Sequence, residues 1–220
     1  MREPVVAAVM TADVTTIDPD TPFKNIAELL NTTGFSAVPV VDDAGRVLGV
    51  VSESDLLAKE EYRGGTAPPP SLFDRGHRRR KAWGLVASDL MSKPVISVSP
   101  DTPVNRAART LARSDIRRLF VVDASDRLVG VVARHDLLKV FLRADDELRT
   151  EIKEKVIEGV LSLEPGSVEV EVSAGVVTLR GRLDRRSDTE LAMRVTRAVS
   201  GVVAVDDQLT FVWDDVTVIL

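Results

Sequence analysis

The chain has no cysteine, which removes disulfides, thiolate metal sites and cysteine nucleophiles together. Histidine is nearly absent as well: His77 and His135 are too few for a histidine-rich metal centre. Aromatic residues make up only 4%, so no interleaved basic–aromatic pattern for stacking nucleic-acid bases is present. The formal charge of −5 over 220 residues gives no global argument for nucleic acid or membrane. No run of about 18 apolar residues exists to span a bilayer, and Val5–Met10 is too short for a secretory h-region. A reducing cytoplasm is therefore the expected compartment. No nucleophile, metal cluster or acid–base pair is recognisable, so the expectation is a protein that is not an enzyme and requires no cofactor.

What the chain does contain is written twice. A shift of 81 positions aligns Met10–Leu57 with Met91–Leu138 without a gap, with 18 identities in 48 positions. Each copy has a short β-prone piece (Val14–Ile17, Val95–Val98) and an Asp-Thr-Pro turn. Next come a helix with apolar residues at helical spacing and two apolar runs across a tight turn, Ala37–Val41 with Val47–Val51 and Leu119–Val122 with Leu128–Val132. Gly49-Val50-Val51 and Gly130-Val131-Val132 then lead into a second helix carrying Asp55 or Asp136. Each unit reads β-α-β-β-α, and the two are expected to bury their apolar sheet faces as a pseudo-twofold pair.

Between the copies, residues 61–84 hold Gly64-Gly65, Pro68-Pro69-Pro70 and the cluster Arg75–Lys81. Without apolar periodicity they read as a mobile, basic, proline-rich insertion whose charges are solvated. After residue 144 the pattern changes to α-β-β-α-β. Leu148, Ile152, Val156 and Val160 form a helical stripe that Gly166 ends, Val168, Val170 and Val172 alternate with glutamates, and Ser187–Glu190 reads as a capping box. The fold class is therefore mixed α+β. The expected domains are residues 1–60, the insertion 61–84, residues 85–144, and a small domain at 145–215.

The duplicated units resemble the CBS domain, and in tandem a Bateman module. The marks are Met10 and Met91, the Asp-Thr-Pro turns, Val40-Val41-Asp42 and Val121-Val122-Asp123, and the two Gly-Val-Val…Asp-Leu-Leu segments. The remainder resembles a BON domain through Gly175-Val176-Val177-Thr178-Leu179-Arg180-Gly181 and Gly201–Val205. The resemblance implies a regulatory pair that binds an adenosine-containing ligand such as AMP, ADP or ATP. The family pattern of Gly, apolar, any, Ser or Thr, any, any, Asp is met by Gly49, Ser52 and Asp55, with Ser54 an additional hydroxyl. The second copy keeps Gly130 and Asp136 but has Ala133 in place of the hydroxyl.

By resemblance, Asp55 would hold ribose hydroxyls and Ser52 would lie near phosphate, an anion that a helix N-terminus also suits. Arg117 and Arg118 would supply positive charge to that phosphate, and Val95 and Ile96 would flank the base. A weaker second cleft would combine Asp136 with Val14, Thr15, Ser36 and Ala37. The competing reading of Ser52–Asp55 is a capping box with no ligand role. A homodimer through the CBS pair and an unidentified protein partner are implied by resemblance. The alternative function is tethering to a phospholipid surface, or to nucleic acid, through the BON domain with Arg180, Arg182, Arg185 and Arg186 and through the Arg-rich loop. Residues 145–220 carry 16 acidic against 9 basic side chains, which opposes an anionic bilayer. Nucleic acid is not the expected partner.

Overall fold

The computed structural model describes residues 3–63, 80–114 and 116–216. Most of the insertion, including Arg75–Arg79, therefore lies outside the described residues. The chain forms two compact units, residues 10–133 and residues 134–220 together with 1–9.

In the first unit, helix α1 (Phe23–Thr33) precedes the antiparallel hairpin β1 (Ala37–Val41) and β2 (Val47–Ser52), which leads directly into α2 (Glu53–Glu61). Gly34 ends α1 in the left-handed region at φ 67°, where a Cβ would be strained. Pro22, in extended conformation, is the residue before the helix, so α1 starts one residue later than a Thr21 cap would have it. After the insertion come a short helix α3 (Ala87–Leu90), β3 (Ser97–Val98), α4 (Val104–Arg113), and the hairpin β4 (Arg118–Val122) and β5 (Leu128–Ala133). The leading strand of each copy is shorter than its β-prone sequence. It is two residues parallel to β4 in the second copy and the single bridge Ile17–Val40 in the first. Prolines 19, 94 and 100 border these pieces and cannot donate to a ladder.

The apolar runs are buried as their spacing requires. Ile26, Val38, Val40, Val51, Ala87 and Leu90 close one core, and Leu111, Leu119, Val121 and Val132 are equally buried in the other copy. The two copies then interlock by an exchange that obeys the 81-residue shift. Thr11 bridges Val131 in the other copy, and Ser92 bridges Val50 in return. Met10 packs where a Cβ on Gly130 would sit, and Met91 occupies the same place against Gly49. Arg46 bridges Arg127, its own counterpart, so the pseudo-twofold axis passes between them.

Each hairpin turn is also pinned the same way. Asp42 Oδ1 accepts the N–H of Ala44 at 3.0 Å and of Arg46 at 2.8 Å, and Asp123 Oδ1 accepts those of Ser125 and Arg127 at 2.8 and 3.0 Å. The backbone N–H of Arg46, and in the second copy that of Arg127, holds each carboxyl below its ordinary pKa.

The second unit opens with α5 (Arg134–Leu137) and a 3-10 stretch (Leu138–Leu142), followed by α6 (Asp145–Glu151). A three-stranded sheet follows in the order β6 (Val168–Ser173), β7 (Val176–Arg185), β8 (Ala204–Trp213), with α7 (Arg186–Arg197) between β7 and β8. β6 and β7 are antiparallel and β7 and β8 parallel, which gives the α-β-β-α-β order read from the sequence.

Two local readings need correction. α6 continues as a π-helix over Ile152–Val160, with Leu161 N bonded to Val156 O. The wider turn brings Ile157 into the core and leaves Val160 half exposed, so the helix ends well before Gly166. Ser187 is not an N-cap, because α7 begins at Arg186. Its N–H and hydroxyl instead bond Asp215 at 2.9 and 2.6 Å.

Candidate functional site

A cavity of about 490 Å³ lies within the first unit, a size that suits a small organic ligand. Its walls come from both copies. Ser36, Ala37, Val50, Ser52, Glu53 and Ser54 line it from the first, and Pro94, Val95, Ile96, Ile116, Arg117, Arg118 and Phe120 from the second. The structure thus brings together Ser52, Ser54, Val95, Ile96, Arg117 and Arg118, which are far apart in the chain.

The cause is the exchange between copies. Residues 92–96 leave the Ser92–Val50 bridge and pass over the C-terminal end of β2, while β4 begins at Arg118 on the facing side. The guanidinium of Arg118 lies 5.3 Å from the centroid of Phe35, a cation–π contact that fixes it at the wall. Arg117 is exposed at the rim.

Ser36 and Ala37 line this same cavity. The hairpin requires it. Ala37 pairs with Ser52 across β1 and β2, and the Glu53 N–H bonds Ser36 O at 3.1 Å, so the start of β1 must flank the end of β2. Val14 is half-buried and Thr15 exposed in the same unit. Asp136 belongs to the other unit, is 3% exposed, and accepts the Lys139 ammonium at 2.8 Å with His135 Nε2 at 3.2 Å.

Asp55 departs most from expectation. It is buried and does not line the cavity. One carboxylate oxygen, Oδ2, accepts the Ser52 N–H at 2.8 Å and the Ser52 hydroxyl at 2.7 Å. The other accepts the Lys81 ammonium at 2.5 Å, with Ser92 Oγ at 3.4 Å. Lys81 Nζ also bonds Ser92 Oγ at 2.6 Å.

Sequence reading missed Lys81 because it sits in the basic run at the end of the insertion, with no apolar periodicity around it. Residues 80–82 in fact form a helical turn in which Lys81 and Ala82 are buried, so this end of the insertion is packed and Lys81 is not solvated. The only sequence signal was the buried-facing aspartate of the helix start, which demands a cation. Two N–H groups at the start of α2 have protein partners. The N–H groups of Ser52 and Glu53 bond Asp55 Oδ2 and Ser36 O.

Of the arginines considered for a lipid surface, Arg180 bonds Gln208 and Glu171, Arg186 pairs with Glu190 and Asp214, and Arg185 lies over the Trp213 ring. Among the described residues no helix is long and apolar enough to cross a membrane. No group of three or more acidic or histidine side chains there is arranged to hold a metal ion.

An exchanged pair of β-α-β-β-α units with a ligand-sized cavity at their junction defines the class, a tandem repeat module carrying a small appended α+β domain. The CBS domain profile matches residues 6–61 and 87–143 and the BON domain profile residues 144–212; the chain belongs to the CBS domain family and carries a BON domain after the pair. The chain is 31% identical over 142 residues to the chloroplastic CBS domain-containing protein CBSX2 of Arabidopsis thaliana, which covers 60% of each chain. It is 31% identical over 140 residues to the uncharacterized protein MK0525 of Methanopyrus kandleri, 64% of each. The match therefore spans a little over three-fifths of these relatives' length. Among solved structures it resembles CBSX2 in complex with AMP, with a TM-score of 0.55 and 30% identity over 63% of this chain and 96% of that one.

Proposed function

We propose that this protein is a non-enzymatic sensor that binds an adenosine nucleotide in the cavity between the copies and passes its occupancy to the BON domain. The observation that carries the reading is the cavity itself. Arg117 and Arg118 line it from the second copy, Ser36, Ser52, Ser54 and Glu53 from the first, and Pro94, Val95 and Ile96 provide apolar surface for a base. Guanidiniums make charge-assisted, bidentate contacts to phosphate, and an apolar slot accepts a purine face. The AMP complex of CBSX2 supports the same ligand class.

The relay rests on connectivity. β5 ends at Ala133 and the chain enters the C-terminal unit at Arg134, with no glycine or proline before Asp145. Within that unit Lys139 bonds Val9 O, and Arg143 bonds both Ser200 O and Glu151, so residues 134–144 are tied down and offer little slack. A ligand biases this coupling only if it binds one arrangement of the copies better than another. Assembly as a homodimer and a protein partner for the BON domain belong to the same proposal.

The test is titration calorimetry with AMP, ADP, ATP and GMP on the full chain and on the Arg117→Ala/Arg118→Ala variant. The expected result is adenine-nucleotide binding, recovery of the nucleotide unchanged, and at least about tenfold weaker binding by the variant, since hydrogen bonds to charged groups are each worth about 1.5–3 kcal/mol. Unchanged affinity in the variant refutes the assignment.

A further inference from the structure

We infer that the BON domain pairs with the BON domain of a second copy of this chain, through the free edge of β8 and about a twofold axis. This goes beyond the nucleotide-binding reading and does not depend on it.

β8, ten residues long, lies at the end of its sheet, with β7 as its only strand neighbour among the described residues. A long edge strand is a template for another chain, and proteins usually guard it with charge, proline or a covering segment. Here the guard covers one half only. Asp206 and Asp207 stand near the start, while Leu209-Thr210-Phe211-Val212-Trp213 carries no charge and no proline. Phe211 is 42% and Trp213 61% exposed.

Alternation along the strand assigns the faces. Val205 and Leu209 pack against the domain core, so Asp207, Phe211 and Trp213 share with them the face that carries α7. The helix runs antiparallel to β8. Its first residue, Arg186, pairs with Asp214 just beyond the strand, and its last turn meets the strand's start. There Glu190, Met193, Arg194, Arg197, Val205 and Asp207 line a groove of about 580 Å³. Neither Arg194 nor Arg197 has an acidic partner among the described residues.

The two ends of β8 therefore complement each other, exposed rings at one and a groove rimmed by guanidiniums at the other, on one face. Antiparallel pairing of two β8 strands about a twofold axis normal to the sheet sets the end of each against the start of the other. With Leu209 at the axis, the partner's Trp213 falls opposite Val205 and the partner's Phe211 opposite Asp207. Burial on Met193 and Val205 then acts together with cation–π attraction from Arg194 and Arg197. The same operation brings Asp206 and Asp207 to the end of the partner sheet that holds Arg182 and Arg185, opposite in charge. A foreign strand would have to supply aromatic and basic groups at matching places, whereas a second copy supplies both by symmetry.

The chain has no cysteine, so a single introduced one reports only on a second copy. Gln208 and Thr210 lie next to the axis, whereas Ala204 would stand about 30 Å from its own symmetry mate, ten residues along the strand. All three side chains are exposed. On the full chain with a short bis-maleimide, Gln208→Cys and Thr210→Cys should form covalent pairs at least about tenfold faster than Ala204→Cys, because pairing sets the effective concentration of the second thiol. Phe211→Lys/Trp213→Lys, added to Thr210→Cys, should lower its rate to that of Ala204→Cys, and an unchanged thermal melt separates lost pairing from lost fold.

A second measurement uses Trp83→Phe, in which Trp213 is the only tryptophan. Its emission should move to shorter wavelength as the protein is concentrated. Arg194→Ala/Arg197→Ala should need at least about tenfold more protein for the same shift. Equal linking at all three positions, or no shift at the highest soluble concentration, refutes the pairing. A shift caused by phosphatidylglycerol vesicles but not by concentration also refutes it, and assigns the aromatic end of β8 to a membrane surface.

Discussion

Replacing Lys81 with methionine removes a buried ammonium while keeping nearly the same stem volume, so its effect isolates the charge. The side chains of Lys81 and Asp55 are 9% and 10% exposed, too little for water to take over the lost interaction. Breaking one half of a buried ion pair typically costs about 3–5 kcal/mol, because the remaining charge is left without its partner. Here Oδ2 of Asp55 keeps both bonds from Ser52, whereas Oδ1 retains only Ser92 at 3.4 Å. Half the carboxylate therefore stays solvated by the protein, and the expected loss is about 2–4 kcal/mol.

That is a large fraction of the roughly 5–15 kcal/mol that holds an ordinary domain folded. Urea denaturation followed by tryptophan fluorescence measures it, provided Trp213 is first changed to Phe so that Trp83 alone reports on the unit containing the pair. The Lys81→Met/Asp55→Asn double variant should regain at least about half the loss, since no charge is then stranded. A Lys81→Met chain within about 0.5 kcal/mol of the parent would refute the reasoning, for it would mean the pair contributes no more than an exposed one.

The exchange between copies makes a second prediction. Gly49→Ala places a methyl against Met91, with its Cγ and Cβ only 2.8 and 2.9 Å away, and Gly130→Ala meets Met10 Sδ at 2.6 Å and the Thr11 carbonyl at 3.1 Å. Each should cost about 1–3 kcal/mol in the same denaturation assay, and Met91→Ala should recover part of the Gly49→Ala loss; two neutral substitutions would contradict the packing. A third concerns pH. Burial alone would raise the Glu151 pKa, but the hydrogen bonds from Lys155 and Arg143 outweigh it and hold the carboxyl below its ordinary 4.5. A depressed folded-state pKa contributes stability above that ordinary value and loses it as pH falls through the folded one. The melting temperature of the parent should thus fall on going from pH 7 to pH 4 by more than that of Glu151→Gln, and equal falls would remove Glu151 from the account.

Much of the fold was legible because it is written in periods. Short apolar runs across aspartate-bearing turns mark all four strands of the two hairpins, and the 81-residue repeat implies the pseudo-twofold pairing. Where local signals misled, a long-range partner or a change of helical period had replaced the expected one. Ser187 looked like a cap but bonds Asp215, and Val160 kept its place in an α-helical stripe until a π-turn rotated it outward. At the site, Ser52, Ser54, Val95, Ile96, Arg117 and Arg118 were each nominated from the chain. Ser36 and Ala37 line the same cavity because hairpin pairing sets the start of β1 beside the end of β2, a long-range consequence that residue spacing does not display.

Sequence alone determined that two similar units exist, that each ends a β-hairpin in a helix carrying an aspartate, and that hydroxyls and arginines are unequally shared between them. These are properties of local pattern, and local pattern survives in a one-dimensional string. Only the tertiary structure decided what that aspartate does. An ammonium 26 residues away, at the end of a stretch without periodicity, turns Asp55 from the cavity toward Lys81 and Ser52. Burial of a charge demands a partner, but nothing in the spacing of residues says which of 29 lysines and arginines will supply it.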